Sequence, residues 1–161
     1  MMGPMDISTR AEFPAPPAEA YAMLTDEAYL TEVCEASKAH KFTVSVDGST
    51  TRTTRTLDAP SAAAKFTGPT MDVVEDISWG PAAADGSRTG TINITVPGQP
   101  VTVKGTTELA AAGSGSVLTV SGDLKVNIPL LGKKLEQSAA PAVLAGVDVH
   151  QEVGSRWLAR G

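Results

Sequence analysis

Residues 116–160, SVLTVSGDLKVNIPLLGKKLEQSAAPAVLAGVDVHQEVGSRWLAR, decide the fold, because their hydrophobic period changes once, near Pro129. Up to that point Leu118, Val120, Leu124, Val126 and Ile128 alternate with Thr119, Ser121, Asp123, Lys125 and Asn127. This two-residue period predicts a strand, Ser116–Ile128, with one buried face. From Pro129 to Arg160 the period becomes helical. At about 100° per residue, Leu135, Ala139, Val143, Gly146, His150, Val153 and Trp157 fall on one stripe, with Lys134, Gln137, Asp148, Gln151 and Glu152 roughly opposite. The spacing predicts an amphipathic helix of about 25 residues or more. Pro141 lies inside it, removing one backbone bond and crowding the preceding turn, so a bend near Gln137–Pro141 is expected.

Working back from this pair, three more strands are read at Met71–Trp79, Arg88–Val96 and Val101–Ala110. Their connections, Gly80–Ser87, Pro97–Pro100 and Ala111–Gly115, are short enough for an antiparallel meander. Upstream, Phe42, Val44 and Val46 alternate with polar residues, Asp47-Gly48 is a tight-turn signal, and Ser49–Leu57 completes a hairpin. Met5–Phe13 alternates Ile7, Thr9, Ala11 and Phe13 against polar neighbours and is a first strand. Prolines 14, 16 and 17 end it and suit a first helical turn. Ala18–Leu24 and Asp26–Ala36 then read as two short helices, the second capped by Thr25 or Asp26, with Tyr21, Leu24, Tyr29, Leu30 and Val33 buried. Asp58–Pro69, with two prolines, four alanines and a glycine, has no clear period and is read as a long loop or short irregular helix, a segment suited to a lid.

The class is therefore α+β, in one domain over residues 5–160, with residues 1–4 set aside. About seven strands form a curved antiparallel sheet, two short helices follow strand one, and only the terminal helix is long enough to cover the sheet's concave face. Aromatic residues are only 4% of the chain, so the interior is built from Ala, Val, Ile and Leu. One helix and small side chains cannot fill the concavity, and a pocket follows, commonly of about 300–1,000 Å³ and mostly apolar.

Charge and cysteine content narrow the function classes. The net charge is −5, from 13 basic and 18 acidic residues mixed along the chain, with no basic stripe to neutralise phosphates, so no nucleic-acid partner is expected. Cys34, the one cysteine, gives no disulfide framework or thiolate cluster. It reads as a small buried hydrophobe. The start shows no signal-peptide pattern and no apolar run approaches about 18–20 residues, so a cytoplasmic protein without stable membrane insertion is expected, as monomer or homodimer.

Polar groups on apolar faces are the candidates for chemistry. His150 lies mid-stripe and could aim an imidazole into the pocket. The plainer reading, a core or rim histidine bonded to a neighbouring carbonyl, is preferred because no Asp or Glu is placed by sequence to orient the ring. Glu75 shares the parity of Met71, Val73, Ile77 and Trp79, and Arg55 shares that of Thr51, Thr53 and Leu57. Facing inward they would pair; the opposite parity, expected for each, sends them to solvent. Leu118, Val120 and Leu124, with Ile94 and Val103, form core and pocket wall, and Val143, Gly146 and Val153 face them from the helix. Gly146 implies either close helix–sheet approach or open volume. No catalytic residue, metal site or cofactor is assigned: two distant histidines and one cysteine make a poor metal site, and nucleophile-elbow, dinucleotide, phosphate-loop and zinc-protease motifs are absent. Asn93-Ile94-Thr95 matches a glycosylation acceptor only formally, inside a strand.

The run FPAPPAEAYAMLTDEAYL (Phe13–Leu30), a strand, a proline-marked turn and two helices, resembles the opening of START-like (SRPBCC, birch-pollen-allergen-like) domains. GDLKVNIPLLGKKLE (Gly122–Glu136), with Trp157-Leu158 near the end, resembles more narrowly an uncharacterised actinobacterial family within that superfamily. The resemblance implies a helix-grip fold with its pocket between sheet and C-terminal helix. The superfamily includes lipid and hormone carriers and polyketide aromatases and cyclases, so it implies a pocket without fixing its use. Three functions are carried forward. The first is non-catalytic binding or transport of a small hydrophobic ligand, a lipid, isoprenoid or polyketide-like compound. The second is an aromatase/cyclase-like enzyme, which needs His150, Glu75 or Arg55 to converge inside. The third is a ligand-free regulatory or partner-binding module with a solid interior.

Overall fold

The computed structural model describes residues 5–160; residues 1–4 and 161 lie outside the described residues. The chain runs β1 (Met5–Phe13), α1 (Pro17–Leu24), α2 (Glu27–Ala36), β2 (Lys41–Asp47), β3 (Thr50–Asp58), α3 (Ala64–Thr67), β4 (Thr70–Trp79), β5 (Arg88–Thr95), β6 (Val101–Ala112), β7 (Gly115–Val126) and α4 (Gly132–Ala159). The strands form one seven-stranded antiparallel sheet in the order β1-β7-β6-β5-β4-β3-β2. This is the helix-grip arrangement, a meander with its first strand returned beside its last.

Local chemistry explains the boundaries. Asp26, not Thr25, caps α2, its carboxylate accepting from the Ala28 and Tyr29 N–H groups at 2.8 and 3.3 Å. Strand β7 buries Leu118, Val120, Leu124 and Val126 on one face but ends at Val126, two residues before the expected Ile128. Proline 129 offers no N–H for a ladder, and the chain reverses there, Gly132 N–H donating to the Ile128 carbonyl at 2.8 Å. Helix α4 accordingly starts at Gly132 rather than Pro129, and it continues through Pro141. Two glycines mark where the strands crowd: Gly105 and Gly122 face each other across β6 and β7, and a Cβ on either would collide with a neighbouring backbone oxygen.

The long helix meets the rest of the molecule at both ends. Its C-terminal half joins Ala11 and Phe13 of β1, Ala20 and Met23 of α1, and Tyr29 and Val33 of α2 in the larger core cluster, through Val147 and Val153. Contact there is so close that a Cβ on Gly154 would lie 2.6 Å from the Phe13 ring. At the other end Ala140 packs with Ile7, Val103 and Leu124. Between the two clusters, a Cβ added to Gly146 would meet nothing within 4 Å. The helix bridges a gap.

Glu136 anchors the N-terminal end. Its side chain is buried, and Oε2 accepts the Val126 N–H at 2.9 Å, tying the end of β7 to the second turn of α4. Its other oxygen is enclosed without a partner among the described residues. Tyr21, expected to be buried, is half-exposed, its ring covered by the Arg88 guanidinium at 3.6 Å.

Candidate functional site

The gap beneath α4 is a cavity of about 480 Å³, walled by α2, β3–β7, α4 and the segment between β3 and β4. Of the residues singled out from sequence, Leu118, Val120, Leu124, Val103, Ile94, Val143, Gly146, His150, Glu75 and Arg55 all line it. Val153 does not. Its position on the stripe is as expected, but it lies where α4 closes onto β1, α1 and α2, so it packs with Phe13, Met23 and Tyr29 beyond the end of the cavity. Gly146 takes the open-volume alternative.

The two walls differ in chemistry. Strands β5–β7 and α4 contribute aliphatic side chains, whereas β3 turns Thr51, Thr53 and Arg55 inward and β4 adds Glu75. The outward orientation expected for Arg55 and Glu75 is thus corrected. Both belong to the inward parity, with side chains 11% and 17% exposed, and Arg55 Nη2 donates to Glu75 Oε2 at 3.3 Å. The register explains the pairing: Thr53 lies opposite Glu75, so Arg55 reaches it diagonally across the ladder. Arg55 Nη1 also contacts Ser37 Oγ at 3.4 Å, while its Nε is enclosed without a partner among the described residues.

His150 enters from the opposite side. The preferred reading gave its ring a backbone carbonyl as partner; instead Nδ1 lies 3.0 Å from the Tyr29 hydroxyl, which also donates to the His150 carbonyl at 3.1 Å. Tyr29 is itself held edge-on against Trp157, with ring centroids 5.7 Å apart. Burial in apolar surroundings holds the imidazole below its ordinary range; the Glu75 charge opposes that shift and the Arg55 charge adds to it. The ring is therefore neutral at pH 7. Burial also pushes the Cys34 thiol up to about 11, which keeps this cavity-lining cysteine protonated and unreactive. Tyr29, raised by burial as well, stays a neutral phenol.

Sequence reasoning named Tyr29 only as a core residue, and nothing in the sequence marks it as the partner of a histidine 121 positions away. Phe66 of α3, Pro60 and Gln99 edge the cavity where the 58–69 segment meets the β5–β6 turn, with Gln99 Nε2 donating to the Phe66 carbonyl at 3.3 Å. That segment contains the short helix α3. Among the described residues no group of three His, Cys, Asp or Glu side chains is placed to hold a metal ion, and no helix is long and apolar enough to cross a membrane.

Comparison with known proteins agrees with this geometry. The profile of the family described as "Protein of unknown function (DUF2505)" matches residues 8–158. No curated protein matches the chain. Among solved structures, the STAR-related lipid transfer protein (fragment 25-204) from Xanthomonas axonopodis is similar at TM-score 0.62 and 14% identity, over 95% of this chain and 85% of that one. The Zhui aromatase/cyclase from Streptomyces sp. R1128 is similar at TM-score 0.64 and 11% identity, over 96% and 95%. Ara h 8.0201 is similar at TM-score 0.61 and 17% identity, over 93% and 97%. The fold is the START-like, birch-pollen-allergen-like helix-grip fold.

Proposed function

We propose that this chain, which belongs to the DUF2505 family, is a cytoplasmic, single-domain carrier that binds a small hydrophobic molecule, a lipid, isoprenoid or polyketide-like compound, between sheet and α4. One observation carries the reading: α4 touches the sheet at both ends and leaves a cavity of about 480 Å³ with largely aliphatic walls between them. Filling such a space with an apolar molecule removes hydrocarbon surface from water at roughly 25 cal/mol per Å². That gain needs no chemistry from the walls. The lipid transfer protein that shares the fold supports the reading.

Native mass spectrometry of the purified protein, followed by organic extraction, tests it. A co-purifying apolar compound is the expected result. Protein that is empty, and that shows no thermal shift across a lipid library, would overturn it.

The aromatase/cyclase-like alternative is supported by one specific observation, the inward turn of Arg55, Glu75 and His150 into a single cavity. Such groups could transfer protons while the wall shape directs a reactive chain. Changed cyclisation products on adding the protein to a polyketide-like substrate, lost in the His150→Phe and Glu75→Gln variants, would favour it over carriage. The ligand-free module, which needs a solid interior, draws no support from the open space at Gly146.

A further inference from the structure

The polar wall has an asymmetry between donors and acceptors. Tyr29 has one hydroxyl proton and two contacts, His150 Nδ1 at 3.0 Å and the His150 carbonyl at 3.1 Å. Both are hydrogen bonds only if the phenol donates to the carbonyl and the ring donates Nδ1–H to the phenol oxygen. The other arrangement forfeits one of the two. With the proton on Nδ1, the lone pair is on Nε2, which bonds no protein group among the described residues and is not enclosed by them. The ring lines the cavity, so that lone pair opens onto it.

Glu75 adds a second acceptor. Its Oε2 takes the Arg55 bond, while Oε1 has no partner among the described residues and is likewise not enclosed. Arg55 has its charge matched by Glu75, its Nη1 against Ser37 and its Nε sealed off. An anionic head would meet the Glu75 carboxylate beside a neutral imidazole, and Lys38, the other cation on the lining, is exposed to solvent. A ketone or ether can accept from Thr51 or Thr53, whose hydroxyls also reach the cavity, but it leaves His150 Nε2 and Glu75 Oε1 without a proton.

We propose that His150 Nε2 accepts a hydrogen bond from a neutral hydroxyl group, a phenol, enol or alcohol, on an otherwise apolar ligand, and that this contact orients the ligand in the cavity. The proposal deepens the carrier reading and rests on it. His150 is here the recognition residue; Tyr29 is a positioning residue that sets the tautomer.

Two measurements test it. The ¹⁵N chemical shifts of the His150 ring in the ligand-free protein report the tautomer, and a proton on Nδ1 is expected; a proton on Nε2 overturns the proposal. Titration then compares 2-naphthol with 2-methoxynaphthalene, which differ only in the hydroxyl hydrogen and its methyl replacement. The phenol is expected to bind about tenfold tighter than the ether. His150→Phe should abolish that preference, and His150→Gln, whose amide oxygen can accept from the same side, should keep part of it in a folded protein. Tyr29→Phe should mix the tautomers in the ¹⁵N spectrum and weaken the phenol without weakening the ether. Equal binding of both probes, unchanged by His150→Phe, overturns the proposal and leaves the carrier standing. Binding of neither probe, with nothing extractable from the purified protein, overturns both.

Discussion

Replacing Gly146 first with alanine and then with leucine tests the cavity by the sign of a stability change. A Cβ at this position meets nothing within 4 Å, so Gly146→Ala adds a methyl without a clash. It also removes the glycine penalty inside α4, about 0.8–1.0 kcal/mol in a helix interior. The expected gain is about 1 kcal/mol, a rise in melting temperature of about 2–4 °C for a chain of this size. Gly146→Leu goes further: its side chain lies against aliphatic walls, and burying it is worth about 1.5–3 kcal/mol before a loss of about 0.5–1 kcal/mol in rotamer freedom. The same leucine forced into a packed interior would destabilise by about 1–3 kcal/mol. It should also occupy ligand volume and weaken 2-naphthol binding, followed through the fluorescence of Trp79, which lines the cavity. Urea unfolding supplies the stability term. A Gly146→Leu variant that loses 1 kcal/mol or more, or that binds the probe unchanged, would rule out open ligand space at Gly146.

Three further outcomes are expected. Glu136→Ala removes the acceptor of the buried Val126 N–H and should cost about 1.5–3 kcal/mol, whereas Glu136→Gln retains an acceptor and should cost clearly less; equal losses in urea unfolding would dismiss that bond as the anchor. Because burial holds folded His150 below the ordinary imidazole value, the unfolded chain takes up a proton first as pH falls. That contribution is full above about pH 6.5 and declines below it, by at most about 1.4 kcal/mol per pH unit, until the folded ring also protonates. Unfolding midpoints between about pH 7 and 5 should therefore slope less in His150→Gln than in the parent protein. Leu130 has φ 68° and is fully exposed, so Leu130→Gly should raise the melting temperature by relieving a left-handed leucine, a strain of about 1–2 kcal/mol that the extra backbone entropy of glycine only partly offsets.

Legibility followed hydrophobic contrast. Strand β7 and helix α4 could be read because Leu, Val and Ile alternate cleanly with Thr, Asp and Lys in one and recur at helical spacing in the other. The two parities of β3 offer no such contrast, Thr50, Arg52, Thr54 and Thr56 against Thr51, Thr53, Arg55 and Leu57, so periodicity defines two faces without saying which is inward. Packing decided it, and Arg55 and Glu75 turned in together. The α4 stripe gave the direction in which Val153 points but not how far the helix stands from the sheet at that height, which separates a core residue from a cavity wall. The Tyr29–His150 contact depends on docking α2 against α4, and Glu136 on where β7 ends; neither is encoded in a local pattern.

The polar face of β3 bears on the choice between carrier and packed module. In a solid interior a buried hydroxyl needs a partner, and leaving one unpaired costs about 1–3 kcal/mol. Among the described residues Thr107 and Ser116 are enclosed without one, so the fold already carries two such hydroxyls. Thr51 and Thr53 are different: they are as buried and make no side-chain bond within the described residues, yet their hydroxyls are not enclosed and reach the cavity. Collapse of α4 onto β3 would close over these hydroxyls, His150 Nε2 and Glu75 Oε1 together, adding several unpaired groups to those the open form already encloses. The open cavity is thus favoured by the walls themselves, and its polarity has a direction. From β7 through β5 the lining is aliphatic apart from Thr107, and the hydroxyl and ionic groups gather where Glu75 of β4, Thr51, Thr53 and Arg55 of β3 and Ser37 after α2 face the cavity. A molecule matching both ends lies across the sheet, its hydrocarbon body under α4 against β5–β7 and its hydroxyl toward His150 and Glu75.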